Sequence, residues 1–523
     1  MLTTAGHLTQ IVLLALFLFL IGRRRRRAAT DIVDAAGRGR PFALWLALLA
    51  AAALLGHLEY FTKKHLNTHE FLHYFLNTKY FAETGYSGLY EAIVVADWED
   101  DRPAYDPSSG VRSLSTYQLE PRASIVERAE AIKARFPPGR WRTFKHDVAW
   151  FRGEDGVLWR LGESLRDHGY NGSPLVTALL GGIASQPFLP TGAFIPIACW
   201  FDIALVLAAG ILLARRVDGA TGALFVFLWA VNPFNDHAYT GGAYLRSIHL
   251  LALLAAVVLF AHRRYVLSGA LFSVSALLRV FPVFLLGGLL VHDLLRRERR
   301  DRLRRHAPLY ASALATALVL FATTSFLSTP EGRNPWIGFA EKMSLHRQRL
   351  SPNLLGLPDL FFYDSGHNVP AIVRARERGR MLNWGVEAGK TFAARRPFYL
   401  AAVAAFGAAC LLILRRGSPE DGLFAGFVAI FALLHLAHYD YAILSLVPFL
   451  VPWGRRSLVA VSLLWMVAAA ACLFPRLASV LDYRFFVLSA ILALFFALVL
   501  AFRAREEWIT APAVVTPEHK RRR

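Results

Sequence analysis

The chain has 523 residues, 55% of them hydrophobic and only 18% charged. A soluble domain of that balance would leave too much apolar surface in water, which excludes an ordinary globular enzyme and points to a polytopic membrane protein. The formal net charge of +20 does not argue for nucleic acid: the basic residues stand in short runs at the ends of apolar segments, at Arg23–Arg27, Arg215–Arg216, Arg263–Arg264, Arg296–Arg305, Arg415–Arg416 and Arg455–Arg456, the pattern that orients helices toward an anionic cytoplasmic leaflet.

The first 22 residues carry no basic stretch ahead of their apolar run, and the Arg run follows it. They read as a retained helix with its N-terminus outside, not as a cleaved signal. A second helix over 41–61 then runs outward. The polar stretch 62–171 is therefore external, and "DRPAYDPSSG" and "RFPPGR" break it into short helices. "SPLVTALLGGIASQPFLP" is too short and too rich in Gly and Pro to span, and reads as interfacial or re-entrant. Helices near 191–214, 218–234 and 242–261 follow. "YVLSGALFSVSALL" and "VFLLGGLLVHDLL" are each too short to cross alone. Separated by "RVFP" and flanked by basic runs, they predict a hairpin with Arg279 at its tip. A helix at 308–327 leads to a second outer loop over 328–396. Spans near 397–414, 420–437, 442–453, 457–473 and 483–502 end at an inner "KRRR".

The expected fold is an all-α integral membrane bundle of about 12–13 transmembrane helices, some short or re-entrant, with two large extracytoplasmic loops containing short helices. Its regions are 1–61 (N-terminal helices), 62–190 (first loop), 191–327 (central helices with the Arg279 hairpin), 328–396 (second loop) and 397–523 (C-terminal helices and a short cytoplasmic tail). Cys199, Cys410 and Cys472 all lie in apolar runs, so neither a disulfide framework nor a thiolate metal site is expected.

Two large loops on one face suggest a site at the outer interface. "NTHEFLHYFLNTKY" follows directly on the second helix. Helical spacing from Asn67 places Glu70, His73, Tyr74 and Asn77 on one face. A partly desolvated carboxylate beside an imidazole suits a general base; equally, Asn67 and Glu70 fit a capping box. His69, His73 and Lys79 are candidate substrate contacts in the same stretch. "DWEDD" offers Asp97, Glu99, Asp100 and Asp101, either oxygen ligands for a divalent cation or a solvated acidic loop. Arg279 lies within an apolar hairpin with no acidic residue within a turn of it. It must find a partner, line a wet cavity, or snorkel to headgroups, and a phosphate suits its guanidinium fork. Arg246, in "YTGGAYLRSIH", offers the same choice nearer an interface. In the second loop, "KMSLHRQRLSPNLLGLPDLF" supplies Lys342, His346, Arg347 and Arg349 before Asn353, as phosphate contacts or as a helix crossing headgroups. His435, His438 and Asp440 in "HLAHYDY" make only a weak metal pattern, so no metal ligands are assigned. No Walker loop, dinucleotide fingerprint or zinc motif is present.

Taken in order, "HEFLHYFLNTKYF", "TGGAYLR…SGALFSVSALLRVFPVFLL", "HRQRLSPNLLGL" and "HLAHYDYAILSLVPFL" resemble the polyprenyl-phosphate-sugar-dependent membrane glycosyltransferases of the C-type fold. Among these the actinobacterial α-mannosyltransferases are the nearest in pattern. The likeness covers about residues 41 to 453, with an extra first helix and a long first loop as departures. It implies transfer of a mannose-like hexose or a pentose, on the outer face of a bacterial inner membrane, from a lipid phosphate to a lipid, glycan or protein hydroxyl in the cell envelope. Glu70 would be the base, and Arg279 with Arg246, Lys342, His346, Asn353 or His438 would contact substrate. No cofactor is implied beyond a possible divalent ion and the lipid-linked donor; membrane lipids are partners and nucleic acid is not. A transporter or flippase, or a non-catalytic envelope-assembly protein, are the alternatives. The glycosyltransferase reading requires Glu70 and Arg279 to face one cavity.

Overall fold

The computed structural model describes residues 4–23, 40–63, 67–100, 110–152, 164–186, 190–234, 241–347, 350–377, 383–450, 455–474, 477 and 479–509. In chain order the main elements are α1 (Thr4–Arg23), α2 (Arg40–Lys63), α3 (68–79), α4 (Leu89–Trp98), β1 (Gly110–Arg112), β2 (Leu119–Pro121) and α5 (Pro138–Arg152). Next come α6 (Pro174–Ala184), α7 (Thr191–Ala198), α8 (Phe201–Arg216), α9 (Gly219–Ala230), α10 (Ile248–Ala261), α11 (Tyr265–Leu278) and α12 (Val283–Leu295). The chain continues with α13 (Arg299–Thr324), α14 (Pro335–Arg347), β3 (Leu354–Leu355), α15 (Trp384–Leu414), α16 (Pro419–Leu433), β4 (Leu436–Ala437), α17 (Arg455–Ala471) and α18 (Leu481–Ile509).

The protein is helical, with two small antiparallel pairs: Val111 opposite Glu120 in β1–β2, and Leu355 opposite Leu436 in β3–β4. Among the described residues, three helices are long and apolar enough to cross a membrane, in α13, α15 and α18. The bent pair α7–α8, with a 41° turn, makes a fourth if it is one span. Shorter apolar helices include α6 and α9 to α12. Polytopic character therefore stands, as a helical membrane protein. Several expected boundaries move. The stretch read as a span near 442–453 begins instead as a 3₁₀ helix, His438–Leu446. α15 starts at Trp384, well before the expected 397, because Asn383 caps it and Pro397 is carried inside the helix.

Local chemistry explains many of the ends. Ser173 accepts from the Val176 N–H with Pro174 at the first helical position of α6, and Asp218 accepts from Thr221 to open α9. Ser418 and Asp421 form a capping box on α16.

Two compact units share the chain. The first holds Met1–Thr9, Ile32–Pro282 and Pro308–Leu350; the second holds Gln10–Asp31, Val283–Ala307 and Ser351–Arg523. The division falls between α11 and α12 and again at Pro308 within α13. In the first unit α2 packs on α9, α8 on α9, and α10 on α11, while α6 packs on α3. In the polar first segment Phe71, Phe75, Tyr80, Ile93, Val111, Phe144 and Tyr170 are buried together, in a cluster that continues into Leu175, Ile195, Tyr244 and Leu278 of the elements that follow. In the second unit α12 lies against α16, and α15 and α17 each against α18. The α12–α16 approach is close because it is lined by glycine: a Cβ on Gly288 would stand 2.2 Å from Gly422 O.

Candidate functional site

α3 begins the site. Asn67 caps it, its side chain accepting from the Glu70 N–H at 3.1 Å. The cap expected from sequence is present, but the Glu70 carboxylate goes elsewhere. The middle of the helix, Phe71–Leu76, is π-helical, an uncommon geometry that recurs at functional sites. It slips the 3.6-residue register, so the four residues read as one face diverge. Glu70 and Tyr74 line a cleft, whereas His73 turns to the Tyr90 hydroxyl at 2.6 Å and Asn77 donates to Gly85 O at 3.0 Å.

The facing wall is the turn before α10. Gly242 and Leu245 have φ of +67° and +53°. Glycine takes this left-handed backbone freely; leucine does so only under strain. Asp202 on α8 holds the turn, accepting from the N–H groups of Arg246 (3.0 Å) and Ser247 (2.8 Å). The Arg246 side chain thereby reaches Glu70, Nη1 donating to Oε2 at 3.0 Å, with both side chains over nine-tenths buried. His249, one turn on, donates from Nδ1 to Arg246 O at 3.0 Å. Its Nε2 is buried without a hydrogen-bond partner among the described residues.

Arg279 enters where α11 ends. The residue is extended, its N–H still bonded to Ser275 O, and Ser173 ties the preceding Leu277 carbonyl to the start of α6. The guanidinium stands 6.0 Å from the centre of the Tyr74 ring, within cation–π range. Glu70, Tyr74, Arg246, His249 and Arg279 line one cleft, partly open, with Leu179, Leu245 and Leu278 among its apolar walls. One carboxylate, two guanidiniums and an imidazole acceptor thus border a partly apolar space. That set can take a proton from a hydroxyl and hold an anion.

The other predicted residues lie elsewhere. Lys79 pairs with Asp147 at 2.7 Å and donates to Thr191. Asp97 is fully buried against Arg122 (2.8 Å) and also meets Arg152, which reaches Asp100 as well. Glu99 meets Lys133, Lys145 and the Trp141 indole. Burial would raise its pKa, yet the hydrogen bonds from Lys133 and Trp141 outweigh it and hold it below the usual range. Arginine and lysine already supply the positive charge around this acidic run. Asp101 and Arg349 fall outside the described residues. In the second unit His438 Nδ1 donates to Asn353 O at 3.3 Å, and His435 bonds Asp359 at 3.2 Å.

Lys342 and His346 on α14 face the first polar segment. Lys342 donates to Leu114 O and lies over the Tyr117 ring; burial pushes its ammonium down to about 7. His346 approaches the Tyr117 hydroxyl at 3.4 Å, and burial, aided by His168, brings its imidazole from 6.5 down to about 4. A histidine neutral when folded but protonable when unfolded stabilises fully above the unfolded value and loses that contribution as pH falls through the folded one. Between about pH 6.5 and 4 the thermal midpoint of the wild type should therefore fall more steeply than that of His346→Phe. Parallel slopes in differential scanning fluorimetry would clear His346 of this role.

Two residues of the site stand outside the sequence-based candidates, His249 and Asp202. His249 follows Arg246 by three residues and is within local reach; Asp202 meets the Arg246 and Ser247 N–H groups across separations of 44 and 45 residues, which local patterns do not carry.

A search of curated proteins and of solved structures finds no match. A family model does match, over residues 174–437, just over half of the chain. That stretch includes Arg246, His249, Arg279, Lys342, His346 and Asn353, and leaves Glu70 upstream. The match agrees with the resemblance to C-type membrane glycosyltransferases drawn from the four motifs, and with the helical, apolar architecture. The chain belongs to glycosyltransferase family 87.

Proposed function

We propose that the protein transfers a sugar from a polyprenyl-phosphate donor to an acceptor hydroxyl, by direct displacement at the Glu70 cleft on the extracytoplasmic face. The observation that carries this reading is that Glu70, Arg246 and Arg279 border one space, though they come from three distant parts of the chain. The acceptor hydroxyl gives its proton to the Glu70 carboxylate while its oxygen attacks the anomeric carbon. The bond from that carbon to the phosphate oxygen breaks, and the lipid phosphate leaves with the electron pair. Such a leaving group is already a stable anion, so it needs positive charge more than a proton.

Arg279 and Arg246 supply that charge, and the guanidinium fork matches two phosphate oxygens. In the structure Arg246 holds Glu70. A phosphate that engages Arg246 competes for the same donors and leaves Glu70 to the acceptor, which ties base release to donor binding. Leu179 and its apolar neighbours give the lipid chain a path out of the cleft. On this reading the loops over 62–190 and 328–396 lie outside the membrane, as positive-inside charge placement requires.

Detergent-purified chain incubated with a panel of radiolabelled polyprenyl-phosphate sugars tests the proposal. Label should pass to an acceptor from at least one such donor. Transfer only from nucleotide sugars, or none from any lipid-linked sugar, rejects it. Within that assay Arg279→Ala should raise the donor KM by about 10- to 100-fold, the 1.5–3 kcal/mol of a charged hydrogen bond. Unchanged donor dependence would remove Arg279 from phosphate binding.

A further inference from the structure

Away from the cleft, His69, His73 and Asp167 of the same unit converge. One ring nitrogen from each histidine and one Asp167 oxygen all lie within 4.8 Å of one another. The two histidines are four apart on α3, which stacks their side chains on one face, and their ring centres are 4.4 Å apart. His69 Nε2 stands 3.2 Å from Asp167 Oδ2, while its Nδ1 bonds Ser164 Oγ at 3.0 Å. The His73 ring is held by the Tyr90 hydroxyl, which in turn donates to Ser164 O at 2.7 Å. His168 Nδ1 sits 3.5 Å from the other Asp167 oxygen. Every ring and carboxylate in the group thus has an outer contact fixing its orientation, the arrangement that supports metal ligands.

We propose that His69, His73 and Asp167 form a binding site for a divalent transition-metal ion, with Zn²⁺ the best match. Two imidazoles and one carboxylate make a three-ligand zinc set that leaves the fourth tetrahedral position to water. Mg²⁺ and Ca²⁺ prefer oxygen ligands, which this group does not offer in number. Ligands on a tetrahedral zinc with bonds of about 2.0–2.1 Å stand about 3.4 Å apart, so the His69–Asp167 pair already has the right spacing. These two side chains are 48% and 43% exposed and can turn to close on the buried His73. Occupancy would pin the first turn of α3 to the 164–168 segment. Glu70 stands on that turn between the two histidines, so the ion would brace it without touching substrate. The site stands or falls independently of the sugar-transfer reading.

The test uses the full chain in detergent, with any affinity tag removed and metal stripped by EDTA. ZnCl₂ is titrated in competition with a fluorescent chelator, and MgCl₂ serves as control. One Zn²⁺ should bind per chain. His69→Ala and Asp167→Asn, both at exposed side chains that leave the core intact, should each weaken binding by about tenfold or more. Zn²⁺ should also raise the thermal midpoint of the wild type and not that of the double variant. Absence of saturable Zn²⁺ binding overturns the proposal, as does affinity unchanged in both variants or an equal thermal shift in wild type and double variant.

Discussion

Glu70→Gln is expected to lower sugar transfer by about 10²- to 10⁴-fold, the usual contribution of a positioned general base, with the fold retained. Glutamine keeps the volume of glutamate, and its carbonyl oxygen can still accept from Arg246, so the contact at 3.0 Å is weakened but not emptied. What is lost is the ability to take the acceptor's proton. Initial rates at matched protein, with thermal unfolding as the folding control, separate the two effects. A variant that folds and transfers at the wild-type rate would end the assignment of Glu70 as base.

The second large effect concerns Arg246, and it combines stability with activity. Removing one partner of a buried ion pair leaves the other charge uncompensated and costs about 3–5 kcal/mol. Both side chains here are over nine-tenths buried. Arg246→Ala should therefore lower the thermal midpoint and abolish transfer together. Removing both charges separates the two roles: Glu70→Gln with Arg246→Met should regain much of the stability while staying inactive. Arg246→Lys should fall between, keeping the charge but losing the two-pronged donor. An alanine variant as stable and as active as the wild type would show that the pair serves neither purpose.

How much of this was legible in the sequence varies with the range of the interaction. Short-range signals carried well. The Asn67 cap and the break at "RVFP" after Arg279 show in local spacing, and the glycosyltransferase likeness rests on resemblance of the four quoted stretches to that class. Exact helix phase was not, because nothing in "FLHYFL" announces a π-helical turn, and that turn decides that Tyr74 joins Glu70 while His73 leaves it. The partner of Arg246 was beyond reach for another reason. Glu70 lies 176 residues away, and an arginine near an interface reads first as snorkelling to headgroups, whereas Arg246 is buried and paired. Asp167 lies in "RDHGYNGSP", 98 residues from His69, a separation that no local pattern bridges. The β1–β2 hairpin escaped because three-residue strands carry too little alternation to register.

The measurement that bears most directly on the central claim is a cryo-EM map of the chain with a bound polyprenyl phosphate. The phosphate is expected within hydrogen-bonding distance of the Arg279 guanidinium, in the space that Glu70 borders, with the isoprenoid running out past Leu179. Density for the headgroup in any other compartment, with that space left to water, would contradict that claim.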